Sequence, residues 1–256
     1  MLNVPQQHAE RAAAAYEGMS DSNGHAAEEA RIKAAYARRH KGDERYSWFH
    51  RGYVFGMQSV ERDILGLLAR NGYGSLGSCK ILEVGCGTGF WLRQFVKWGA
   101  RPDHVFGVDL LPERVSEARR VCSSETTIAC ANAGRLDFAD QSFDIVFQGL
   151  VFTSVQDAAM RRRMASEMRR VTRRGGLIIW YDFDVNNPSN PDVRAVKKPE
   201  IMELFPDCSI DLRRVGLAPP IYRFLAPHSW ILCELLEMLP MLRTHQLGAI
   251  RPAGSR

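Results

Sequence analysis

Residues 80–89 of this 256-residue chain read Lys-Ile-Leu-Glu-Val-Gly-Cys-Gly-Thr-Gly, an apolar run closed by three glycines at alternate positions. The apolar half has the length of a buried strand, and the residues from Phe90 onward have helical spacing. Because glycine adopts positive φ at no steric cost, the stretch predicts a strand that turns tightly into a helix. The glycines also let the backbone approach a ligand closely, beside the carboxylate of Glu83 at the strand end.

Two nucleotide-binding motifs share this richness in glycine, but the spacing here excludes both. The dinucleotide fingerprint would need a glycine at Phe90, and the third glycine is instead Gly89. No Gly-Lys-Ser/Thr follows, so the loop is not a P-loop. The carboxylate of Glu83 would repel a phosphate, whereas it accepts hydrogen bonds from an ammonium or hydroxyl group. The loop therefore predicts a ligand that carries such groups.

A second carboxylate stands at the end of the next predicted strand. Asp109 follows Gly85 by 24 positions, where an acidic residue in this kind of fold binds both hydroxyls of a ribose. The alternative is that Asp109 caps the helix predicted from Pro112. The two roles are compatible, and the glycine loop upstream favours the ribose.

Strands and helices alternate through residues 79–183. The strands are predicted at residues 80–84, 105–109, 127–130, 143–147 and 177–181, and the helices at 90–98, 112–121 and 157–171. Strands joined by helical crossovers form a doubly wound, parallel α/β sheet that binds ligands at the carboxyl ends of its strands. Further elements are predicted at residues 198–204 (helix), 208–215 (strand), 228–239 (helix) and 245–250 (strand).

Together these motifs resemble the class I S-adenosylmethionine-dependent methyltransferases, in particular the small-molecule branch that includes ubiquinone- and menaquinone-biosynthesis methyltransferases. The resemblance covers residues 80–183 and includes the segment 131–146 and the helix-to-strand turn at 170–176. It implies a Rossmann-like fold whose seven-stranded sheet has the seventh strand antiparallel between the fifth and the sixth. It also implies S-adenosylmethionine as the cofactor and S-adenosylhomocysteine as the product.

The resemblance further implies which residues contact the cofactor. Asn132 stands where the family has an aspartate that receives the adenine amino group, and an asparagine oxygen accepts the same hydrogen bond. The backbone N–H of Ala133 is then expected to meet an adenine ring nitrogen. The expected cofactor-binding residues are Tyr46, Glu83, Gly85, Cys86, Gly87, Gly89, Asp109, Leu110, Asn132, Ala133 and Gln148.

The segments on either side of this core are expected to shape the site. Residues 1–75 are predicted to form a helical lid on a methyltransferase domain of residues 76–256, in which residues 184–243 form a substrate-shaping segment. The helices of the lid are expected at residues 12–16, 26–39 and 54–68. The aromatic stretch 46–53 either covers the sulfonium through cation–π contacts or packs in the core.

Candidate catalytic residues follow the fifth strand. A general base is needed only if the acceptor must lose a proton. Asp182 and Asp184 leave that strand at the ligand-binding edge, where loops often carry function, although turn formation also explains them. His228 is the third candidate, with a capping role as the alternative, and for His245 at the start of the last strand a position on the strand surface is favoured over a catalytic role. No cluster of histidine, cysteine and carboxylates has the spacing of a metal site, so no metal is expected.

The expected acceptor is a small molecule. It could be a sugar or glycolipid, or a polyketide- or quinone-like natural product, methylated on a hydroxyl, and the Asn/Pro-rich loop 186–191 favours the glycan-like acceptor. RNA or protein methylation is an alternative, suggested by seven arginines between residues 161 and 174. A solvated helix face is the simpler explanation of those arginines, so nucleic acid is not an expected partner. A catalytically silent cofactor-binding protein on the same fold is a further alternative.

The composition indicates the class of protein and the compartment in which it is expected. With 45% hydrophobic and 25% charged residues and a net charge of +5, it is typical of a globular protein. No apolar run approaches the roughly 20 residues of a membrane span, and the first residues lack the pattern of a secretory signal. Six cysteines without a C-x-x-C pair favour a reduced, cytoplasmic protein over a disulfide scaffold. A homodimer is compatible with these features.

Overall fold

The computed structural model describes residues 23–38, 44–187 and 190–252. Its helices and strands in chain order are α1 Asn23–Ala37, α2 Arg51–Arg70, β1 Ile81–Val84, α3 Phe90–Lys97, β2 Val105–Asp109, α4 Pro112–Val121, β3 Thr127–Cys130, β4 Phe143–Gly149, α5 Ala158–Val171, β5 Thr172–Phe183, α6 Lys198–Leu204, β6 Cys208–Leu217, α7 Pro219–Leu225, α8 Trp230–Glu237 and β7 Arg243–Pro252. The helix predicted at residues 12–16 lies outside the described residues.

The strands form one seven-stranded sheet in the order β3-β2-β1-β4-β5-β7-β6. The first five strands run parallel, and β7 lies antiparallel to both of its neighbours, β5 and β6. This arrangement confirms the predicted doubly wound, Rossmann-like α/β fold, with its seventh strand inserted between the fifth and sixth. The central strand β1 is buried at all its positions, as expected for a strand with helices on both faces.

The core lies in two layers, one on each face of the sheet. One layer gathers α2, α3 and α4 around Phe95 and Phe147, and the other gathers α5 and α6 around Phe152 and Trp180. A smaller cluster contains Phe55, Leu217, Ala226 and Cys233. This third cluster ties α2 to α7 and α8, so the segment after β6 is fastened to the helix that precedes the sheet.

The chain reverses its direction of travel across the sheet between β1 and β4. From β1 it passes to β2 and β3 on one side, and it then returns to β4 and β5 on the other. Such a switch point leaves a crevice at the carboxyl ends of the strands. The glycine loop follows β1 at this point and is fastened to β2, because the backbone N–H groups of Gly85 and Cys86 donate to the carbonyl of Val108 at 2.8 and 2.9 Å.

Two stretches differ from the sequence prediction. Strand β5 begins at Thr172 rather than at residue 177. Thr172 is buried and pairs with Phe143 of β4, and residues 173–175 are exposed before the register shifts. Helix α7 was not predicted from the sequence. Proline is favoured in the first turn of a helix, where its missing N–H costs nothing. Across the described ranges, no helix has the combined length and apolarity that crossing a membrane requires.

Candidate active site

A cavity of about 1080 Å³ lies at the carboxyl ends of the parallel strands. Small-molecule pockets typically measure roughly 300–1,000 Å³, so this one has room for more than a single ligand. One end is walled by the glycine loop and by residues 108–111 after β2. The other end is walled by the residues that leave β5 and enter β7, together with the start of α7.

The glycine loop requires glycine for two reasons. Gly85, Gly87 and Gly89 have φ of +73°, +53° and +76°, a region that other residues rarely adopt. A Cβ on Gly85 would also lie 2.3 Å from Cγ2 of Val151, and one on Gly89 would lie 2.5 Å from Sγ of Cys122. Gly85, Cys86 and Gly87 line the cavity. Gly89 instead precedes α3 as its N-cap and packs against α4.

Glu83 lies at the wall of the cavity with an unsatisfied carboxyl oxygen. The residue is 2% exposed, and its Oε2 has no hydrogen-bond partner among the described residues. Burial, and secondarily the negative charge of Asp109, raises the pKa of Glu83 well above its usual range. A buried acceptor without a partner is costly, so the position suits a ligand that brings a cation or a hydrogen-bond donor.

Asp109 serves the loop and the cavity together. Its Oδ2 accepts from the backbone N–H of Gly87 at 2.8 Å, and its Oδ1 accepts from the N–H of Leu111 at 3.0 Å. The carboxylate thereby joins the glycine loop to the start of α4. Asp109 and Leu110 both line the cavity, and each carboxylate oxygen keeps acceptor capacity beyond these single bonds.

The two residues expected at the adenine, Asn132 and Ala133, take different positions in the loop after β3. Ala133 lines the cavity and Asn132 does not. The Oδ1 of Asn132 accepts from the N–H of Gly134 at 2.6 Å, and its Nδ2 donates to Oε1 of Glu29 at 2.6 Å. Asn132 therefore connects this loop to α1.

Helix α1 is fastened over the same end of the cavity. The Nη2 of Arg31 donates to the carbonyl of Ser154 at 2.6 Å, while its Nε pairs with Glu28 at 2.8 Å. Ile32 and Tyr36 on this helix line the cavity, and the hydroxyl of Tyr36 lies 3.3 Å from Oγ of Ser154. The N-terminal helical part thus supplies one wall of the site.

Gln148 and Asp182 are both fully buried and do not line the cavity. The Oε1 of Gln148 accepts from the N–H of Val151 at 3.2 Å and so shapes the turn after β4. The carboxylate of Asp182 accepts from the backbone and hydroxyl of Thr153 at 3.1 and 2.6 Å and from the N–H of Phe183. Burial raises the pKa of Asp182 to about 6.

Three more predicted residues take different positions. Asp184 pairs with Arg214 at 2.7 Å behind the cavity wall. His228 is exposed in the turn between α7 and α8, where its ring lies 6.1 Å from that of Phe224. Neither residue lines the cavity, whereas Tyr46 does, with the guanidinium of Arg223 lying 5.4 Å from its ring.

His245 is the buried polar residue that the sequence reasoning did not place in the site. Its ring stacks on Tyr181 with 5.0 Å between ring centroids and an angle of 6°, and it lies 4.0 Å from the ring of Phe183. The Nδ1 is 3.2 Å from Oγ1 of Thr244. Burial lowers the pKa of His245 to about 3, so the imidazole is neutral near pH 7. All four residues line the cavity.

Leu150 is a second feature that the sequence did not reveal. It follows β4, lines the cavity and has φ of +61°. Bulky residues rarely adopt this conformation, and such strain tends to persist where the surrounding structure demands it. The N–H of Leu150 donates to the carbonyl of Tyr181 at 2.8 Å, which holds the turn against β5.

The arginine-rich segment is partly structural. Arg161 is fully buried and pairs with Glu200 at 2.6 Å. Arg170 pairs with Glu167 and Asp140 at 2.7 and 2.8 Å. These two cations are committed to the protein's own carboxylates, so they add nothing to a surface for an anionic polymer. Elsewhere in the described ranges, no three histidine, cysteine or acidic side chains gather as a metal-binding group.

The sheet order, the glycine loop at its switch point and the carboxylate at the end of β2 define the class of Rossmann-like methyltransferases. Comparison with known proteins agrees, because residues 82–180 match the family described as a methyltransferase domain. The chain belongs to the S-adenosylmethionine-dependent methyltransferase family and is an enzyme of that class.

Individual relatives are consistent with this assignment. The chain is 30% identical to a demethylmenaquinone methyltransferase of Roseiflexus castenholzii over 169 residues, which span 65% of this chain and 67% of that protein. It is 28% identical over 127 residues to a 2-methyl-6-phytyl-1,4-hydroquinone methyltransferase of Synechocystis, spanning 48% and 38% of the two chains. Phosphoethanolamine N-methyltransferase 1 of Haemonchus contortus, solved with phosphoethanolamine and S-adenosylhomocysteine, shares the fold with a TM-score of 0.60. It is 15% identical and covers 93% of this chain, which spans 52% of that structure.

Proposed function

We propose that this methyltransferase transfers the methyl group of S-adenosylmethionine to a hydroxyl of a small acceptor with a large apolar body, such as a quinol- or polyketide-like natural product or a glycolipid. The observation that carries the proposal is the continuity of the cavity. It runs from the glycine loop to an aromatic chamber that ends at the buried His245.

The loop end of the cavity suits the donor. Glu83 would receive the ammonium group of the methionine part, Asp109 the ribose hydroxyls, and the backbone at Ala133 the adenine. The turn from Gly85 to Gly87 would pass beside the ligand, with Tyr46 near the opening. Bound there, S-adenosylmethionine supplies an electrophilic methyl group on a sulfonium sulfur. Asn132 acts in this proposal by positioning the loop through its bond to Glu29, and α1 acts as a cover.

The aromatic end suits the acceptor. Tyr53, Tyr181, Phe183 and Tyr222 supply ring surfaces in the cavity wall. Burial raises the pKa of Tyr181 well above 10, so its phenol stays protonated and uncharged. A chamber walled by aromatic rings orients an apolar acceptor, and such positioning supplies much of the acceleration in a displacement reaction.

His245 would orient the reacting hydroxyl. When Nδ1 carries the imidazole hydrogen and donates to Thr244, Nε2 presents a lone pair. A neutral imidazole can then accept a hydrogen bond from the acceptor hydroxyl and aim its oxygen toward the methyl group. We therefore assign this role to His245, since Asp182, Asp184 and His228 do not line the cavity.

The names of two relatives fit an apolar acceptor. One names demethylmenaquinone and the other a phytyl-bearing hydroquinone. A glycolipid also combines an apolar body with hydroxyl groups. Asn186, Asn187 and Asn190 supply polar groups in the cavity wall that suit its sugar hydroxyls. Quinols and glycolipids both carry a hydroxyl on an apolar body, and activity assays distinguish these two classes of acceptor.

The test is a radiolabelled methyl-transfer assay on a panel of quinols, phenolic polyketides, glycolipids and RNA. We expect turnover on a quinol, polyketide or glycolipid and none on RNA. His245→Ala should lower kcat/KM by about 100-fold, within the range of acid–base or orienting groups. The matched control His228→Ala should stay within about twofold, because its side chain is outside the cavity.

Three results would count against the proposal. They are turnover on RNA alone, no turnover on any apolar hydroxylated acceptor, and equal losses in the two histidine variants. Calorimetry with S-adenosylhomocysteine on each variant shows whether the donor end remains intact, so that a loss of activity can be attributed to the acceptor end.

A further inference from the structure

An apolar surface covers the helical segment between β6 and β7. Of the fourteen large hydrophobic residues that are exposed within the described ranges, seven fall between residues 224 and 241. Two more, Trp48 and Phe49, lie in the loop between Tyr46 and α2. We call these nine the apolar face: Trp48, Phe49, Phe224, Ile231, Leu232, Leu235, Met238, Leu239 and Met241. Phe49 is 99% exposed and Met241 79%. Monomeric proteins rarely expose a contiguous patch of this kind without a function.

The two segments of the apolar face are joined by direct contacts. The Nη1 of Arg51, next to Phe49, donates to the carbonyl of Pro227 at 2.9 Å. The guanidinium of Arg223 lies over the ring of Tyr46 at 5.4 Å. A Cβ on Gly52 would lie 2.8 Å from the Cα of Arg223, so α2 and α7 are in close contact. The exposed side chains therefore belong to one surface.

Helix α8 has apolar residues on both its inner and its outer side, although only the inner side packs against the rest of the described chain. Cys233 on its inner side is fully buried, and Trp230 packs against Phe55 with 5.1 Å between rings. Ile231 and Leu235, one helical turn apart, are 74% and 57% exposed on the outer side. A helix that is hydrophobic all round is normally covered on all sides. The outer side therefore lacks a covering layer within the described residues.

The apolar face borders the cavity. Tyr222 and Arg223 line the cavity, and the next residue along α7, Phe224, is 71% exposed. On the other segment, Tyr46 lines the cavity and Trp48 is half exposed. An acceptor that enters beside these residues would cross the apolar face. A second copy of the chain bound there would cover that entrance, whereas a lipid layer would supply an apolar acceptor to it.

The charges at the face favour a negatively charged lipid layer. The guanidinium of Arg62 pairs with the carboxylate of Glu234 at 3.1 Å, while Glu237, 3.6 Å from Arg62, is 9% exposed and so contributes little to the surface. Within the described part of the chain, Arg51 and Arg223 pair with no carboxylate: Arg51 donates to a carbonyl oxygen and Arg223 lies over an aromatic ring. Surface cations near an apolar face add attraction to anionic headgroups.

We infer that the apolar face docks on the surface of a lipid bilayer that contains anionic lipid, with the cavity facing the bilayer. Binding to the bilayer is independent of the proposed function. Only the delivery of an apolar acceptor through this face depends on it. The docking is peripheral, since the exposed side chains of α7, α8 and the adjoining loop would enter only the interfacial region.

The test is flotation of the full chain with vesicles of phosphatidylcholine, with and without phosphatidylglycerol. We expect the wild type to float with both and more strongly with the anionic vesicles. Ile231→Asp/Leu235→Asp should lower vesicle affinity by at least about tenfold, because two apolar side chains no longer leave water. The control Met202→Asp changes an equally apolar residue, 54% exposed on α6, and should bind like the wild type.

Circular dichroism melting of each variant confirms that it is folded, and S-adenosylhomocysteine binding is measured separately. A double variant that binds vesicles like the wild type would overturn the inference. So would a wild type that stays in solution while sedimentation shows a dimer that Ile231→Asp/Leu235→Asp dissociates, because the face would then be an interface between copies. Since no cofactor or acceptor is present in flotation, failure of the proposed function would leave this result unchanged.

Discussion

At the scale of single residues, the proposed donor end of the cavity contains two carboxylates with different surroundings. Asp109 satisfies two backbone N–H groups and fixes the loop. Glu83 is left with an unsatisfied oxygen in the wall of the cavity. We infer that the two carboxylates have different roles: Asp109 stabilises the loop, and Glu83 is available to a positively charged ligand.

The surroundings of Glu83 predict a pH-dependent affinity for the donor. Because the pKa of Glu83 is raised, its carboxyl group must lose a proton before it can pair with a cationic ligand. Affinity for S-adenosylhomocysteine should therefore increase as pH rises, by up to about tenfold per pH unit while Glu83 is protonated in the free protein, and should level off above its pKa.

Calorimetry between about pH 5 and 7 measures this trend over a range in which the ligand's own α-amino group keeps its proton. Glu83→Gln should bind more weakly at pH 7 and show little dependence on pH. Glu117→Gln, on the exposed side of α4, should retain the wild-type trend. A wild type whose affinity is flat over this range would contradict the assignment.

At the scale of elements, the loop between β1 and α3 is held by packing as well as by conformation. Gly85 has both a positive φ and Val151 against it, whereas Gly72 has φ of +88° and open space around its missing side chain. The two glycines therefore separate the conformational cost of a side chain from the steric cost.

Gly72→Ala should lower the free energy of unfolding by about 1–2 kcal/mol, the cost of a left-handed residue. Gly85→Ala should lose about 1–3 kcal/mol more, because the added methyl group would overlap Val151. Urea unfolding measures both losses. Adding Val151→Ala to Gly85→Ala should recover part of the difference. Equal losses in the two single variants would show that the loop is not tightly packed against the turn after β4.

Much of this architecture could be predicted from the sequence, because the central elements are specified locally. Strand β2 and helix α4 fall on the predicted residues, since apolar runs and helical spacing there are bounded by turns and by Pro112. The glycine loop was predicted from its spacing alone. Local patterns could not place His245, which reaches the site only because β7 pairs with Phe183 on β5 and Val215 on β6.

Other differences have similar long-range causes. The outer side of α8 gives an apolar pattern that the sequence cannot distinguish from core. The turn at Leu150 adopts a conformation that a leucine does not predict. The buried position of Arg161 depends on Glu200, 39 residues away along the chain. Each of these features depends on how elements that are distant in the sequence pack together. The residue spacing within one element does not reveal that packing.

At the scale of the whole molecule, one cavity joins the proposed donor end at the glycine loop to the proposed acceptor end, which lies beside the apolar face. The donor end is built by the parallel half of the sheet and by α1. The acceptor end is built by the end of β5, the last parallel strand, and by β7 and α7, which come after it in the chain.

The central claim is that the crevice at the glycine loop binds the donor. Calorimetry with S-adenosylhomocysteine tests it most directly, on the wild type, on Asp109→Asn and on the exposed control Asp137→Asn. We expect one binding site, a loss of roughly 10- to 100-fold in Asp109→Asn from weakened charge-assisted hydrogen bonds, and a change within about twofold in Asp137→Asn. Absence of binding to the wild type, or equal affinity in all three proteins, would contradict the account.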